Sequence, residues 1–318
     1  MDLDPRIFDL EAIDSETLAS NELIEKLLAS APPIHEQVPA EIRAARARGE
    51  GVLGSPVHLE HAEVLEIPGP AGPIALRIFR HPAARGLYFH IHGGGWTLGS
   101  ADAQDPMLDA IKEAGPATVV SVDYRLAPEN PYPAGPDDCE AAALWLMKNA
   151  GSEFGSVPMA IGGESAGAHL AAVTLLRLRD RHGSQPFAGA NLVYGAYDLS
   201  LTPSVRNWGP RNLVLSTPII EFFTRSFVPD PEQRELADVS PLYADLKGLP
   251  SALFTVGGLD PLLDDTLFMA SRWEAAGNET ELAVYPGGIH GFNLFPGALG
   301  ERALVRSEAF LARSFENS

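Results

Sequence analysis

Short apolar runs alternate with longer helical segments from about residue 87 to the end of the sequence, after two strand-like segments that begin near residue 60. The runs are continuous rather than alternating, which is typical of strands that are buried on both faces of a parallel sheet. The longer segments fit helices that connect parallel strands through right-handed crossovers, so the pattern predicts a doubly wound α/β fold. The predicted strands span residues 61–67, 74–79, 87–91, 118–122, 157–161, 190–194, 252–256 and 282–285.

The first two predicted strands differ from the others in their connection. Proline and glycine dominate Pro68–Pro73, a composition that suits a tight hairpin. We therefore predict eight strands, with the first hairpin antiparallel and the remaining strands parallel. Helices are expected at about 103–114, 137–150, 166–181, 263–276 and 301–315.

The sequence pattern of residues 1–50 predicts helices that are not part of the sheet. Two pairs of apolar residues at four-residue spacing, beginning at Leu23 and Ile24, share one face of a predicted helix. A second helix is expected at about 39–48, and its basic end, Arg43–Arg48, is interpreted as a solvated face.

A second region, residues 199–245, shows no strand pattern and is rich in proline. It contains a predicted helix near Ile219–Phe227 with a phenylalanine-rich face, so we interpret it as an insertion that packs over the sheet. The predicted organisation is a helical cap segment at 1–50, a catalytic domain at 51–198 and 246–318, and a cap insertion at 199–245.

The composition narrows the classes of function. The chain has 318 residues, 45% hydrophobic and 20% charged, which is ordinary for a globular protein. Its net charge of −19 opposes binding to nucleic acid or to anionic membranes, so neither is an expected partner. One cysteine, Cys139, excludes an intramolecular disulfide and a cysteine-rich metal site, and we expect a buried, inert thiol there.

The sequence also bears on location. The first residues are acidic and lack the basic and apolar regions of a secretory signal. No stretch approaches the ~18 apolar residues of a membrane-spanning helix, and we therefore predict a cytoplasmic protein without stable membrane association.

The strongest chemical motif is Gly163–Gly167, which reads G-E-S-A-G and matches the pattern G-x-S-x-G. It lies between a predicted strand and a predicted helix, the arrangement that a nucleophile elbow requires. There the serine hydroxyl points out at the carboxyl end of the sheet, above a helix N-terminus that favours developing negative charge. A glycine-rich turn with a buried serine is the alternative interpretation. Ser165 is thus the candidate nucleophile.

A glycine loop, His92–Trp96, follows an earlier predicted strand. Three successive glycines leave backbone N–H groups unshielded, which suits an oxyanion hole. A phosphate-binding loop or a plain glycine loop would also be rich in glycine. The sequence lacks the G-K-S/T and G-x-G-x-x-G patterns of phosphate sites, which favours the oxyanion hole.

A serine nucleophile needs an adjacent base, and α/β enzymes of this type place the acid and then the histidine after the serine. Of nine histidines, His290 is well placed, because it follows the last predicted strand and a flexible glycine pair. His169 and His182 belong to the helix after Ser165. Candidates for the acid are Asp198, Asp260, Asp264 and Asp265.

Asp260 follows a strand and precedes a helix, at the same edge of the sheet as His290. Asp264 and Asp265 are interpreted as caps of that helix, and Asp198 as a residue that shapes the insertion. Near the loops, Asp137 is expected to cap a helix, and Asp123 and Tyr124 to form buried hydrogen bonds.

Five motifs occur in a fixed order: His92–Trp96, Asp123–Glu129, Gly163–Gly167, Asp260–Leu262 and His290–Phe292. Together they resemble the hormone-sensitive-lipase-like group of α/β-hydrolases, which includes many bacterial esterases. The resemblance covers roughly residues 60–315, and the flanking helical regions resemble the group's cap. One residue departs from the pattern: Glu164 stands where the group most often carries Asp or Thr. It could contact the glycine loop or be a surface carboxylate.

The resemblance implies an α/β-hydrolase fold and a Ser165, Asp260, His290 triad without metal or cofactor. It also implies that the N–H groups of Gly94 and Gly95 join the Ala166 N–H in the oxyanion hole. The residues alone do not exclude the Gly93 N–H as a donor.

The expected function is a serine carboxylesterase with a small-molecule ester as its substrate. Short to medium acyl chains are favoured by the resemblance and by a covered apolar pocket, for which Trp96, Phe222 and Phe223 are the candidate residues. Amide or carbamate hydrolysis on the same triad is the alternative, because leaving-group selectivity depends on pocket shape. A noncatalytic receptor, as in plant gibberellin receptors of this family, is disfavoured by the presence of His290. Whether the chain forms a homodimer is left open.

Overall fold

Eight strands form one sheet in the computed structural model, which describes residues 3–51 and 56–316. The strand order is β1-β2-β4-β3-β5-β6-β7-β8, with β2 antiparallel to both of its neighbours and the other pairs parallel. The predicted hairpin and parallel sheet are therefore confirmed. The strands are β1 (Glu63–Gly69), β2 (Gly72–Phe79), β3 (Gly86–Ile91), β4 (Ala117–Asp123), β5 (Met159–Glu164), β6 (Phe187–Val193), β7 (Ser251–Leu259) and β8 (Thr280–Ile289).

Helices cover both faces of the sheet, which explains why the central strands carry continuous apolar runs. Successive residues of β3 point to opposite faces: Phe89 packs in the core beneath α4 and α5, and Tyr88 packs with α9. The helices are α1 (Ser15–Ala29), α2 (Pro39–Ala47), α3 (Asp105–Ala114), α4 (Ala134–Glu153), α5 (Ala166–His182), α6 (Pro203–Trp208), α7 (Thr217–Phe227), α8 (Leu263–Ala275) and α9 (Ala298–Glu316).

The region predicted as an insertion adds no strand to the sheet between Val193 and Ser251, a stretch that is described throughout. It contains α6, which the sequence pattern did not predict, and α7, which it did. The domain boundaries remain predictions, and their residues 1–2, 52–55 and 317–318 lie outside the described residues.

Two predictions about polar side chains near these helices were wrong. Helix α4 begins at Ala134 after Pro133, so Asp137 lies within its first turn instead of capping it. Arg43 is not simply solvated, because it donates to the Thr97 carbonyl at 2.8 Å and to Glu129 at 2.5 Å. Helix α2 is thereby tied to the loop that follows β3.

Cys139 is fully buried, as the sequence predicted. None of the helices in the described part of the chain combines the length and apolarity needed to cross a bilayer.

Candidate active site

Ser165 occupies a sharp turn between β5 and α5. Its φ of 56° and ψ of −119° lie in a region that a residue with a side chain adopts only at a cost in free energy. Glycines make the turn fit: a Cβ added at Gly163 or Gly167 would lie 2.1 or 1.9 Å from the Ile91 carbonyl oxygen. The absence of two side chains therefore allows β3 to approach the turn that presents Ser165.

His290 lies between Ser165 and Asp260. Its Nε2 is 2.9 Å from Ser165 Oγ, and its Nδ1 is 2.9 Å from Asp260 Oδ2. The structure thus brings together the three residues that the sequence singled out, from the loops after β5, β7 and β8. The other oxygen of Asp260 accepts a hydrogen bond from the Leu262 N–H at 2.9 Å, which fixes the carboxyl group.

The geometry defines what this chain of hydrogen bonds can do. An ionised carboxylate only accepts hydrogen bonds, so Asp260 selects the His290 tautomer that carries its proton on Nδ1. Nε2 is then left with a lone pair toward the Ser165 hydroxyl. The side chains of His290 and Asp260 are 7% and 0% exposed, so the interaction takes place largely out of water. The arrangement is able to remove a proton from Ser165.

The glycine loop lies directly against the Ser165 turn. A Cβ at Gly93 would lie 2.8 Å from the Glu164 carbonyl oxygen and 3.5 Å from Ser165 Cβ. Gly94 and Gly95 have φ values of +115° and +60°, which favour glycine. Their participation with Ala166 in an oxyanion hole stays a prediction.

Comparison with known proteins assigns the family. A model described as the alpha/beta hydrolase fold matches residues 88–294, a span that contains the glycine loop, Ser165, Asp260 and His290. The chain belongs to the α/β-hydrolases, in their hormone-sensitive-lipase-like group. The resemblance that the motifs indicated is confirmed.

Relatives of this α/β-hydrolase carry esterase names. The carboxylic ester hydrolase LipN of Mycobacterium tuberculosis is 36% identical over 276 residues, which is 82% of this chain and 72% of LipN. The esterase LipI of the same organism is 33% identical over 303 residues, 91% of this chain and 93% of LipI. The solved hyperthermophilic esterase of the archaeon Pyrobaculum calidifontis superposes with a TM-score of 0.85 and 30% identity, covering 98% of this chain and 99% of that one.

In this hydrolase, the predicted pocket aromatics lie on or against the glycine loop. A Cβ on Gly95 would lie 2.3 Å from the Phe223 ring, so that ring covers the loop directly. The rings of Phe222 and Phe223 are adjacent, with centroids 5.5 Å apart. Trp96 is buried, stacks on Phe227 at 4.8 Å, and donates its indole N–H to His169 Nδ1 at 3.0 Å. Their role as a substrate pocket stays a prediction.

Sequence reasoning missed His169, which it treated as an ordinary residue of the helix after Ser165. The ring is fully buried and bonded on both sides, to Trp96 and to the Val239 carbonyl. Its position one helical turn after the nucleophile was the available signal, since that face of the helix looks toward the glycine loop and the cap.

Glu164 is buried, so the interpretation as a surface carboxylate was wrong. Its partner is His90 of β3, whose Nε2 lies 3.0 and 3.2 Å from the two carboxylate oxygens. The Glu164 side chain therefore binds the strand that leads into the glycine loop, and only its backbone carbonyl lies against the loop, at Gly93.

The remaining aspartates also have defined partners. Helix α8 is preceded by Leu262 at its N-cap, so the interpretation of Asp264 and Asp265 as caps was wrong. Asp265 is fully buried and accepts from the N–H groups of Tyr197 and Asp198 and from the Thr202 hydroxyl. Asp264 accepts from Ser204 N–H at 2.8 Å. Both carboxylates thus tie the start of α8, just after Asp260, to the start of the insertion.

Two further predictions are resolved. Asp198 forms a turn by accepting from the N–H and hydroxyl of Ser200, as expected of a residue that shapes the insertion. Asp123 is exposed but accepts from Ala101 N–H, whereas the Tyr124 hydroxyl makes the expected buried hydrogen bond to the His92 carbonyl. Within the described residues, no group of three or more His, Cys, Asp or Glu side chains is arranged to hold a metal ion.

Proposed function

We propose that this α/β-hydrolase is a serine carboxylesterase that acts through Ser165, His290 and Asp260 and prefers short to medium acyl chains. The observation that carries the proposal is the pair of 2.9 Å contacts that connects Ser165 Oγ, the His290 ring and Asp260 at a strained strand–helix turn. The esterase names of the relatives and of the structural neighbours support an ester as the substrate.

In the first step, Ser165 Oγ attacks the ester carbonyl carbon while His290 Nε2 takes the hydroxyl proton. Asp260 holds the ring and stabilises the imidazolium that forms. The carbonyl π electrons move onto oxygen and produce a tetrahedral oxyanion. Positioned proton transfer of this kind contributes about 10²–10⁴-fold to a rate.

The oxyanion forms where the glycine loop meets the start of α5. We assign the N–H groups of Gly94, Gly95 and Ala166 as its hydrogen-bond donors. Removing one such donor lowers turnover by about 10²–10³-fold in related chemistry. The N-terminus of α5 adds a favourable electrostatic field, because its unpaired N–H groups point toward the developing charge.

Collapse of the tetrahedral intermediate breaks the bond to the leaving alcohol, which takes the proton from His290 Nε2. An acyl-enzyme ester on Ser165 remains. Water then attacks the acyl carbon, giving its proton to His290 Nε2, and the second tetrahedral intermediate releases the carboxylic acid. Ser165 Oγ recovers the proton, so the enzyme returns to its starting state without a cofactor.

The chain-length preference rests on the residues that cover the site. Phe223 lies against Gly95, and Phe222 packs beside it, so two aromatic rings stand next to the proposed oxyanion hole. Helix α7, which carries both, is part of a cap packed over the carboxyl edge of the sheet. A covered apolar pocket of this kind favours uncharged esters whose acyl chain is short enough to fit inside.

Hydrolysis of p-nitrophenyl esters from acetate to palmitate tests the proposal with wild type and Ser165→Ala. Ser271→Ala is the matched control, because Ser271 is an exposed serine of α8 away from the site. We expect wild-type activity to be highest on esters with short to medium acyl chains. Activity should vanish in Ser165→Ala and persist in Ser271→Ala. An inactive, folded wild type would refute the function, and a preference for palmitate would refute the covered pocket.

A further inference from the structure

The glycine loop is held in an unusual backbone conformation over three successive residues. Gly94, Gly95 and Trp96 all have positive φ, at +115°, +60° and 57°. Glycine adopts such angles freely, but Trp96 has a Cβ and does so only at a cost in free energy. Interactions around the loop must offset this cost, and those of the Trp96 side chain are among them.

The Trp96 indole is held on two sides. Its face stacks on the Phe227 ring with 4.8 Å between centroids and 8° between planes. Its N–H donates to His169 Nδ1 at 3.0 Å, and the His169 ring also meets the indole edge-on at 5.1 Å. Because Phe227 belongs to the cap and His169 to α5, the loop is anchored both to the cap and to the nucleophile helix.

His169 is confined to one protonation state by these contacts. An indole N–H can only donate, so His169 Nδ1 must offer its lone pair to Trp96. Nε2 therefore carries the proton, which it donates to the Val239 carbonyl at 2.7 Å. The ring is neutral with both nitrogens satisfied, and burial lowers its pKa to about 4, against the opposing effect of the Val239 carbonyl.

The far end of this chain of contacts is fixed as well. Asp238, next to Val239, binds Arg177 of α5 through two hydrogen bonds of 2.7 and 2.6 Å. The Tyr132 hydroxyl donates to the same carboxylate at 2.7 Å. Asp238 and Arg177 are also the charged groups that act on the pKa of His169: the carboxylate raises it and the guanidinium lowers it. The Val239 carbonyl is thus a fixed partner for His169.

We propose that His169 is a positioning residue for the oxyanion loop: through Trp96 it holds the Gly94 and Gly95 N–H groups where the tetrahedral oxyanion forms. This inference rests on the proposed esterase function. His169 does not itself reach the reacting atoms, since its two ring nitrogens are occupied by Trp96 and Val239. Its loss acts on the transition state, where the oxyanion exists, more than on the bound ester.

Two substitutions of His169 separate this role from simple packing. His169→Leu fills a similar volume but removes the acceptor for the indole. His169→Asn keeps an acceptor, because Asn Oδ1 is as many bonds from Cα as His Nδ1. His182→Asn serves as the control, since His182 ends the same helix and binds Glu140 instead.

We expect His169→Leu to lower kcat by about 10–10²-fold with KM changed less than about threefold, because positioned oxyanion donors act in the transition state. His169→Asn should recover most of the loss, and His182→Asn should match wild type. Binding of a trifluoromethyl ketone, whose adduct with Ser165 carries an oxyanion, should weaken in parallel with kcat/KM.

Trp96→Phe removes the same hydrogen bond from the other side and keeps the test available if His169→Leu does not fold. The double variant Trp96→Phe/His169→Leu should be no slower than the slower single variant, since both act through one bond.

Unchanged kcat in His169→Leu and in Trp96→Phe would overturn the inference, as would equal losses in the Leu and Asn variants. Loss of activity in Ser165→Ala alongside a fully active His169→Leu would remove this inference only. Absence of ester hydrolysis in wild type would remove the proposed function.

Discussion

Glu164 and His90 share a buried hydrogen bond of 3.0 Å immediately behind the nucleophile. The other ring nitrogen of His90 lies 2.9 Å from the hydroxyl of Ser121 in β4. The carboxylate accepts, so His90 carries a proton on Nε2, while its Nδ1 forms the second hydrogen bond, with the Ser121 hydroxyl. Three neighbouring strands, β5, β3 and β4, are thereby linked at the level of Ser165.

Glu164→Ala removes the acceptor and leaves the His90 N–H buried without a partner. We expect the free energy of unfolding to fall by about 1–3 kcal/mol in urea titrations. Glu164→Gln retains a carbonyl oxygen that accepts from His90, so its loss should be smaller. Equal stability of Glu164→Ala and wild type would show that the hydrogen bond contributes nothing.

Gly167→Ala should prevent correct packing of the nucleophile turn. The new Cβ would lie 1.9 Å from the Ile91 carbonyl oxygen, and backbone on both sides leaves little room to move. We expect a loss of about 3 kcal/mol or more, or insoluble protein. Gly115→Ala is the control, because its Cβ would meet nothing closer than 3.7 Å and its φ is −108°. Circular dichroism and thermal unfolding of both variants make the comparison.

Arg177 is a buried cation that binds Asp137, Glu140 and Asp238. Arg177→Met removes the buried cation that all three carboxylates share, and we expect a loss of about 3–5 kcal/mol in unfolding free energy. Arg181 contacts two of these acidic groups, Glu140 and Asp238, but its side chain is 46% exposed. Arg181→Met should therefore cost less than about 1 kcal/mol. Similar losses in the two variants would contradict the importance of burial.

Asp265 should make stability depend on pH. Burial raises its pKa from 3.8 to about 7, against the opposing hydrogen bond from Thr202. Between these values the native state holds a proton that the unfolded state has released, so the contribution of Asp265 to stability falls as pH rises. An asparagine side chain cannot titrate, and the stability of wild type relative to Asp265→Asn should therefore decline between pH about 4 and 7, by at most about 4 kcal/mol.

Chemical denaturation of wild type and Asp265→Asn at several pH values measures this decline. Asp245→Asn is the control, because Asp245 is exposed. A difference between wild type and Asp265→Asn that stays constant with pH would exclude titration of Asp265 in this range.

The central strands could be predicted because they are continuous apolar runs, a pattern that burial on two faces imposes locally. Ser165, Asp260 and His290 could be located for a related reason, since each follows a predicted strand by a few residues. The carboxyl ends of parallel strands share one edge, so the order of motifs along the chain already implied their meeting in space.

The interactions that hold the site could not be predicted from local pattern. His90 and Glu164 are 74 residues apart in sequence, Trp96 and His169 are 73 apart, and Tyr197 and Asp265 are 68 apart. Each pair depends on how separate helices and loops pack. For that reason Asp265 was interpreted as a helix cap, which is the common local role of an aspartate at that position.

Ser165 and His290 are separated by 125 residues, and His290 follows β8, which forms one edge of the sheet. A chain made from its N-terminus therefore contains the residues of the nucleophile turn and the glycine loop well before the proposed base exists. A nascent chain that ends between α8 and β8 would contain Ser165 without the residue proposed to activate it. Ester hydrolysis by this protein would thus indicate that the edge strand β8, which precedes His290, has been added to the sheet.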